Sequence, residues 1–390
     1  MDKSRARMMA ELYRAELMHN VVPYWAQHSP DPIHGGFFTC LDREWNLYDS
    51  GKWAWFQGRA VWMFSRLYRT AGGKDEWLEL ARNGLEFIQR HLFDPQGRMY
   101  SAVTADGSPR WAAKGLFSEC FTVYGLAQYA RAAGDAGALD SAQTLFSRVL
   151  EMADQPELDG PRLPGQPPFV VHAVPMILLN LVQELRDATG GSEYDRVADE
   201  MLDRILRMHC HPERSAVFEN VLPDGGLVDD PDGRVLNPGH AMESAWFILH
   251  EAQYRKDTDL RDRALQMIQW SLDAGWDDEF GGMLYFVDAQ RYPSRYLQWD
   301  MKLWWVHLET LYALLCGYQM TGRADLLGWF ERIHDWTWAR FPDRDHGEWY
   351  GYLRRSGEVS LPLKGSMWKG FYHVPRALLL IAELLDEMAK

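Results

Sequence analysis

Cysteine is scarce: four in 390 residues, at Cys40, Cys120, Cys210 and Cys316. They are too far apart, with no CxxC pair, to build a disulfide scaffold or a zinc site. Reduced, mostly buried thiols are expected. Basic charge is in deficit as well, with 41 Lys and Arg against 55 Asp and Glu and a formal net charge of −14. Such a surface repels phosphate backbones and anionic lipid surfaces, which argues against nucleic acid and membrane partners. No segment reaches the ~18 consecutive apolar residues of a membrane span, and Met1-Asp2-Lys3-Ser4-Arg5-Ala6-Arg7 leads into no secretory apolar run. A cytoplasmic protein is expected. There is also no Gly-rich phosphate loop.

Tryptophan, by contrast, is abundant at 18 residues, and 47% of the chain is hydrophobic, ample for a sizeable core. Trp combines an apolar ring face with a polar tip and often lines sugar pockets. Most of the 18 are expected to serve packing. The chain also repeats itself. His34-Gly35-Gly36-Phe37-Phe38-Thr39, Gly97-Arg98-Met99-Tyr100-Ser101, Ala216-Val217-Phe218-Glu219-Asn220, Phe280-Gly281-Gly282-Met283-Leu284-Tyr285 and His346-Gly347-Glu348-Trp349-Tyr350-Gly351 read as short aromatic strands. Their aromatic positions recur every ~60–67 residues, with one double interval centred on the loop Asp159–Gly165, which makes six units.

Each unit carries two stretches of apolar residues at helical spacing. The first set, near 5–27, 75–92, 138–153, 192–210, 259–275 and 324–340, has a charged face and is expected to form an outer ring. The second set, near 53–71, 114–133, 172–188, 238–256, 302–320 and 366–387, is more apolar, with polar and aromatic residues at the N-terminal ends, and is expected inside. Twelve alternating helices joined by short β-hairpins on one side describe an all-α (α/α)6 barrel. Nothing reads as an interdomain linker, so residues 1–390 are expected to form one domain.

The chemistry then belongs at the inner helix heads, where the helix dipoles favour electron-rich ligand oxygens. In Asn237-Pro238-Gly239-His240-Ala241-Met242-Glu243, proline suits a first helical turn, and His240 and Glu243, three apart, share a face. His373 occupies a similar helix head. Two converging histidines suit moving a proton from one face of a carbon to the other. Around them stand Arg59, Phe117, Glu119, His172 with Met176 one turn later, Trp304, Trp305, Glu309 and Trp368. Adjacent helical residues point about 100° apart, so Trp304 and Trp305 cannot both face a substrate. His240, Glu243 and His172 are an alternative set of metal ligands, and Arg59 alternatively an ion-pair partner for an inner glutamate. The preferred reading is a metal-free pocket for a neutral, hydroxylated ligand.

Segments along essentially the whole chain, including His34 to Leu41, Gln57-Gly58-Arg59, Phe117-Ser118-Glu119-Cys120-Phe121, Ala173 to Leu181, Asn237-Pro238-Gly239-His240, Met301 to Trp305, Gly347 to Leu353 and His373-Val374-Pro375-Arg376, resemble the N-acylglucosamine 2-epimerase family. The resemblance implies the (α/α)6 barrel, a homodimer, and interconversion of N-acetylglucosamine with N-acetylmannosamine. It assigns His240 and His373 to the acid/base pair, Arg59, Glu243 and Glu309 to its polar shell, and Trp305 and Trp368 to ring-facing aromatics; Phe117, Glu119 and His172 complete the expected substrate set. The proton at C2 becomes acidic once the ring opens to the aldehyde, so one histidine removes it and the other returns one to the opposite face. No redox or metal cofactor is required, and ATP is a possible allosteric activator, although the loop Asp159–Gly165 only partly resembles the region implicated. Met176 stands where cellobiose 2-epimerases and aldose–ketose isomerases of the family place a histidine, which favours the acetamido sugar. His172 departs from the family pattern. The alternatives are a sugar 2-epimerase or isomerase acting on mannose, glucose or cellobiose; a glycoside hydrolase using Glu243 and Glu309 as its carboxylate pair; and a non-catalytic interaction protein.

Overall fold

The computed structural model describes residues 1–153, 155 and 165–390. Among these, twelve helices alternate between two concentric rings. The outer helices are α1 (Lys3–Ala15, running through a π-helical turn Glu16–Val21 into Val22–His28), α3 (Asp75–His91), α5 (Ala136–Ala153), α7 (Asp195–Asp203 with a π-helical turn Arg204–His209), α9 (Thr258–Gly275) and α11 (Ala324–Trp338). The inner helices are α2 (Ala54–Thr70), α4 (Phe117–Ala133), α6 (Ala173–Thr189), α8 (Pro238–Arg255), α10 (Trp304–Thr321) and α12 (His373–Met388). Each inner helix packs on the next, from α2 through α12, and α1 packs on α12, so the first and last helices meet. The ring closes through side chains: Phe371 contacts Phe64, Tyr372 contacts Trp62, and Arg66 pairs with Glu383. Exposure divides as the charged faces predicted. α4, α8 and α10 are buried nearly all round, whereas α3 buries one stripe.

Glycine decides the closest helix approach. A Cβ on Gly58 would stand 2.2 Å from the carbonyl oxygen of Phe121, and one on Gly125 would stand 2.7 Å from that of Gly58, so α2 and α4 cross backbone to backbone. All four cysteines are buried and unpaired. No helix among the described residues is long and apolar enough to cross a membrane.

Among the described residues, the long connections from outer to inner helices lie on one side and carry the short strands. Several aromatic segments expected as strands make only single bridges, Phe37 to Pro30, Met99 to Phe93, Met283 to Trp276 and Trp349 to Pro342. The true ladders form just before the inner helices, where Lys52–Trp53 pairs with Ala102–Val103 and Lys302–Leu303 with Tyr352–Leu353. A repeated buried ion pair holds this layer. Lys52 binds Asp31 at 2.7 Å, Lys302 binds Asp277 at 2.9 Å and Lys364 binds Asp343 at 2.6 Å, each lysine also donating to a nearby glycine carbonyl. All three lysines are fully buried.

The helix bounds match the periodicity within a few residues except at α12, which starts at His373 rather than near 366. Ser366 Oγ accepts from the backbone N–H of Trp368 and Lys369, and the Lys369 ammonium is taken by Glu348 and the Lys364 carbonyl. These bonds fix Ser366 to Lys369 as a turn and delay the helix.

Candidate active site

The six inner helices present their N-terminal ends to one space. At the head of α8, Asn237 caps the helix by accepting from the His240 N–H, and Pro238 supplies the first turn. Gly239 makes room for a ring. A Cβ there would meet the Trp305 side chain at 2.4 Å, so glycine lets that indole slide beneath the helix head. The Trp305 ring lies 5.4 Å from the His240 ring and 5.7 Å from that of His373. Trp304 turns instead toward Tyr352 and Lys369. The two tryptophans thus diverge as adjacent helical residues must.

Each histidine is held by a carboxylate through Nδ1. His240 Nδ1 lies 2.9 and 3.1 Å from the two carboxylate oxygens of Glu219, and His373 Nδ1 lies 2.7 Å from Glu309 Oε1. A carboxylate only accepts, so Nδ1 carries the hydrogen in both rings and Nε2 is the working atom. Glu219 sits between the short strands Ala216–Val217 and Asn220–Val221, and its backbone joins those of His172 and Val235. Glu243, on the His240 face by helical spacing, has its hydrogen bond elsewhere. Its Oε1 accepts from Arg376 Nη2 at 2.6 Å, and the same nitrogen reaches Glu309 Oε1 at 2.7 Å. Arg376 also donates to the Tyr372 hydroxyl, and Trp246 Nε1 donates to Glu309 Oε2 at 2.9 Å.

The two histidines are pushed in opposite directions. Burial lowers the pKa of His240, but the charges of Glu219 and Glu243 outweigh it and the net shift is upward. For His373 burial acts with the cations Arg59 and Arg376, and its pKa falls well below the ordinary 6.5. Of the two rings, His240 therefore holds a proton the more readily, and His373 stays a free base at neutral pH. A pair of titratable groups driven apart in this way has its acid and base roles set by environment.

Arg59 is 7% exposed, and its Nε has no hydrogen-bond partner. The guanidinium carbon stands 3.9 Å from the Phe121 ring centroid and 4.7 Å from those of Trp55 and Tyr372. Burial lowers its pKa to about 10, which leaves it charged at pH 7. Among the described residues it has no ion-pair partner, so its charge is available to a ligand oxygen. Trp368 is 56% exposed at the mouth, edge-on to Trp55. Phe117, at the head of α4, is half-buried.

Two expected substrate residues are buried and already hold side-chain partners. Glu119 is 1% exposed and accepts from Arg98 Nε at 2.9 Å and from the Met99 N–H at 3.0 Å. His172 is also 1% exposed; its Nε2 lies 2.9 Å from Ser244 Oγ and its ring tilts against His209. Burial drives its pKa to about 3, so it is neutral. The alternative metal set is thus dispersed, His240 going to Glu219, Glu243 to Arg376 and His172 to Ser244. Glu243, Glu309 and His373 do bring ligand atoms within 4.8 Å of one another, but the Arg376 guanidinium already bridges the two carboxylates.

Sequence reasoning missed Glu219 and Arg376 as site residues. Arg376 was legible, three residues after His373 and therefore on its face. Glu219 had a fainter signal: it follows Phe218 where Thr39, Ser101 and Gly351 follow the matching aromatics, a charge in a place otherwise neutral.

The profile of the N-acylglucosamine 2-epimerase family matches residues 36–377. The N-acylglucosamine 2-epimerase of Bos taurus is 39% identical over 400 residues, covering 100% of this chain and 94% of its own. A cellobiose 2-epimerase of Ruminococcus albus is 25% identical, covering 88% of this chain and 90% of its own. In fold, the cellobiose 2-epimerase from Spirochaeta thermophila superposes with a TM-score of 0.85 at 22% identity, over 99% of both chains.

Proposed function

The chain belongs to the N-acylglucosamine 2-epimerase family, whose members are carbohydrate isomerases, and on that premise we propose that it interconverts N-acetyl-D-glucosamine and N-acetyl-D-mannosamine by inversion at C2. The observation that supports this most is the opposed pair: two histidines beside one tryptophan ring, each fixed through Nδ1, one shifted toward its protonated form and one toward its neutral form.

The pyranose opens to its C1 aldehyde. His373 Nε2 takes the C2 proton, the C–H electron pair becomes a C1–C2 double bond, and the negative charge moves to O1. Arg59, a cation with no carboxylate of its own, stabilises that oxyanion. After rotation about the C2–C3 single bond, His240 delivers its proton to the opposite face as the pair returns to C2. His373 ends charged and His240 neutral, the state that serves the reverse direction. Each positioned proton transfer contributes roughly 10²–10⁴ in rate. No bond is oxidised overall, so no redox cofactor is called for.

A glycoside hydrolase needs its two carboxylates to work as separate acid and base or nucleophile. Glu243 and Glu309 are both tied to one nitrogen of Arg376, which favours the epimerase reading. The resemblance further supports a homodimer with ATP as a possible allosteric activator, and the lack of a secretory apolar run supports a cytoplasmic enzyme; apart from Gly165, the loop Asp159–Gly165 invoked for nucleotide lies outside the described residues. The substrate is tested by incubating purified protein with N-acetylmannosamine, mannose, glucose and cellobiose in parallel, with and without ATP, and identifying products by chromatography. Conversion of the acetamido sugar supports the proposal; conversion of mannose, glucose or cellobiose alone transfers the same machinery to unsubstituted sugars.

A further inference from the structure

At the end of the barrel away from the histidines, the inner helices border a second, half-open cavity of about 210 Å³. Its place follows from chain direction. His240 and His373 open α8 and α12, whereas this cavity is lined from the middle and later turns of α2, α4, α6 and α8, with Leu380 of α12. Trp62, Tyr124, Trp246 and Tyr254 give it aromatic walls. Among them stands Asn180, 4% exposed, whose Oδ1 has no hydrogen-bond partner, and the Oε1 of Gln183 is likewise unpaired. The Nε atoms of Arg66 and Arg186, both lining residues, are unpaired donors. A buried polar atom without a partner costs about 1–3 kcal/mol, so four around one hollow mark a place shaped for a ligand offering both donors and acceptors.

Charge narrows the class. Arg66 is neutralised by Glu383 and Arg186 by Glu251, while Glu184 and Asp187 add carboxylates to the same wall. An anion gains nothing there. The volume falls below the ~300–1,000 Å³ of drug-sized pockets. Flat aromatic faces with unpaired amide oxygens and N–H donors suit a ring or chain bearing several hydroxyls. We propose that this cavity is a second binding site, for a neutral polyhydroxylated molecule of monosaccharide or alditol size.

Trp246 links the cavity to the histidines. One side of it lines the wall, and its Nε1 donates to Glu309 Oε2, whose other oxygen holds His373 Nδ1. A ligand stacked on that indole changes the bond that positions His373. This coupling rests on the acid/base reading of His373; the binding site itself does not.

The test is equilibrium dialysis of the full chain against radiolabelled sorbitol and methyl α-D-glucopyranoside, neither of which offers a free aldehyde and so neither of which can be epimerised. Saturable binding in the millimolar range is expected. It should weaken at least tenfold in Asn180→Leu, which is nearly isosteric, and in Leu380→Trp, which fills the cavity without removing a polar group, while surviving in Arg59→Met. Absence of saturable binding overturns the site, as does binding lost in Arg59→Met but kept in Asn180→Leu and Leu380→Trp, which places the probe among the histidines. The coupling is read separately from C2 exchange. Saturating sorbitol should shift the acid limb of the wild-type pH profile and not that of Leu380→Trp; an unmoved limb with the cavity occupied overturns the coupling. A chain that exchanges no sugar at C2 removes the epimerase reading and leaves the dialysis result standing.

Discussion

Glu219→Gln removes one negative charge and little else. In the native chain the Glu219 carboxylate lies 2.9 Å from His240 Nδ1, a gross attraction of about 6 kcal/mol at an effective dielectric near 20. The cost of burying an imidazolium is several kcal/mol, so the two terms are of similar size and the carboxylate decides which wins. With glutamine there, Glu243 is the one remaining charge that favours protonation, and it is already tied to Arg376. Burial then prevails and His240 is neutral at pH 7. The variant holds two bases and no acid. For the epimer whose C2 hydrogen faces His373, proton removal survives but return to the opposite face fails, because the only proton donor left is His373 itself. Inversion should fall by roughly 10²–10⁴, the usual value of a positioned proton transfer, while wash-out of the C2 hydrogen into D₂O falls far less. Proton NMR in D₂O follows both quantities in one tube. Equal loss of exchange and inversion, or loss of neither, refutes the assignment of Glu219 as the group that keeps His240 charged.

Activity should follow a broad bell in pH, lost on the acid side as His373 protonates, well below 6.5, and on the alkaline side as His240 deprotonates, above 6.5, read from initial rates across buffers. Arg59→Met should lower kcat by about 10²–10³, the value of one oxyanion donor, with KM changing less. Lys52→Met strands a buried Asp31 and should cost about 3–5 kcal/mol in urea unfolding, a loss that Lys52→Met/Asp31→Leu largely recovers. Stability should also rise with pH between about 3 and 6.5. His172 and His307 have folded pKa values near 3 and His209 near 4, so the unfolded chain binds more protons in that window; thermal melts from pH 4 to 7 measure it.

The rings were legible because the outer helices carry a charged face and the inner ones do not, and because one helix pair recurs per aromatic unit. Within the site, His240, Glu243, His373 and Arg59 could be placed together because each lies in the first turns of an inner helix. What periodicity could not give was partnership. Helical spacing puts Glu243 on the face of His240, yet the carboxylate goes to Arg376, because a guanidinium from α12 lies within reach and offers a charge-assisted bond. The residue that does hold His240 comes from a short strand segment whose repeat marks the aromatic Phe218 and not the charge that follows it. Lys302 and Lys369, just before α10 and α12, are spent on buried Asp277 and Glu348, contacts some twenty residues back in sequence that the repeat geometry brings together.

The central claim is that two histidines move a proton across one carbon. Its most direct test is the position of deuterium: purified protein with N-acetylmannosamine in D₂O should yield N-acetylglucosamine carrying deuterium at C2, and both His240→Ala and His373→Ala should abolish that product while keeping native circular dichroism. Product that retains its original C2 hydrogen, or full activity in either variant, contradicts it.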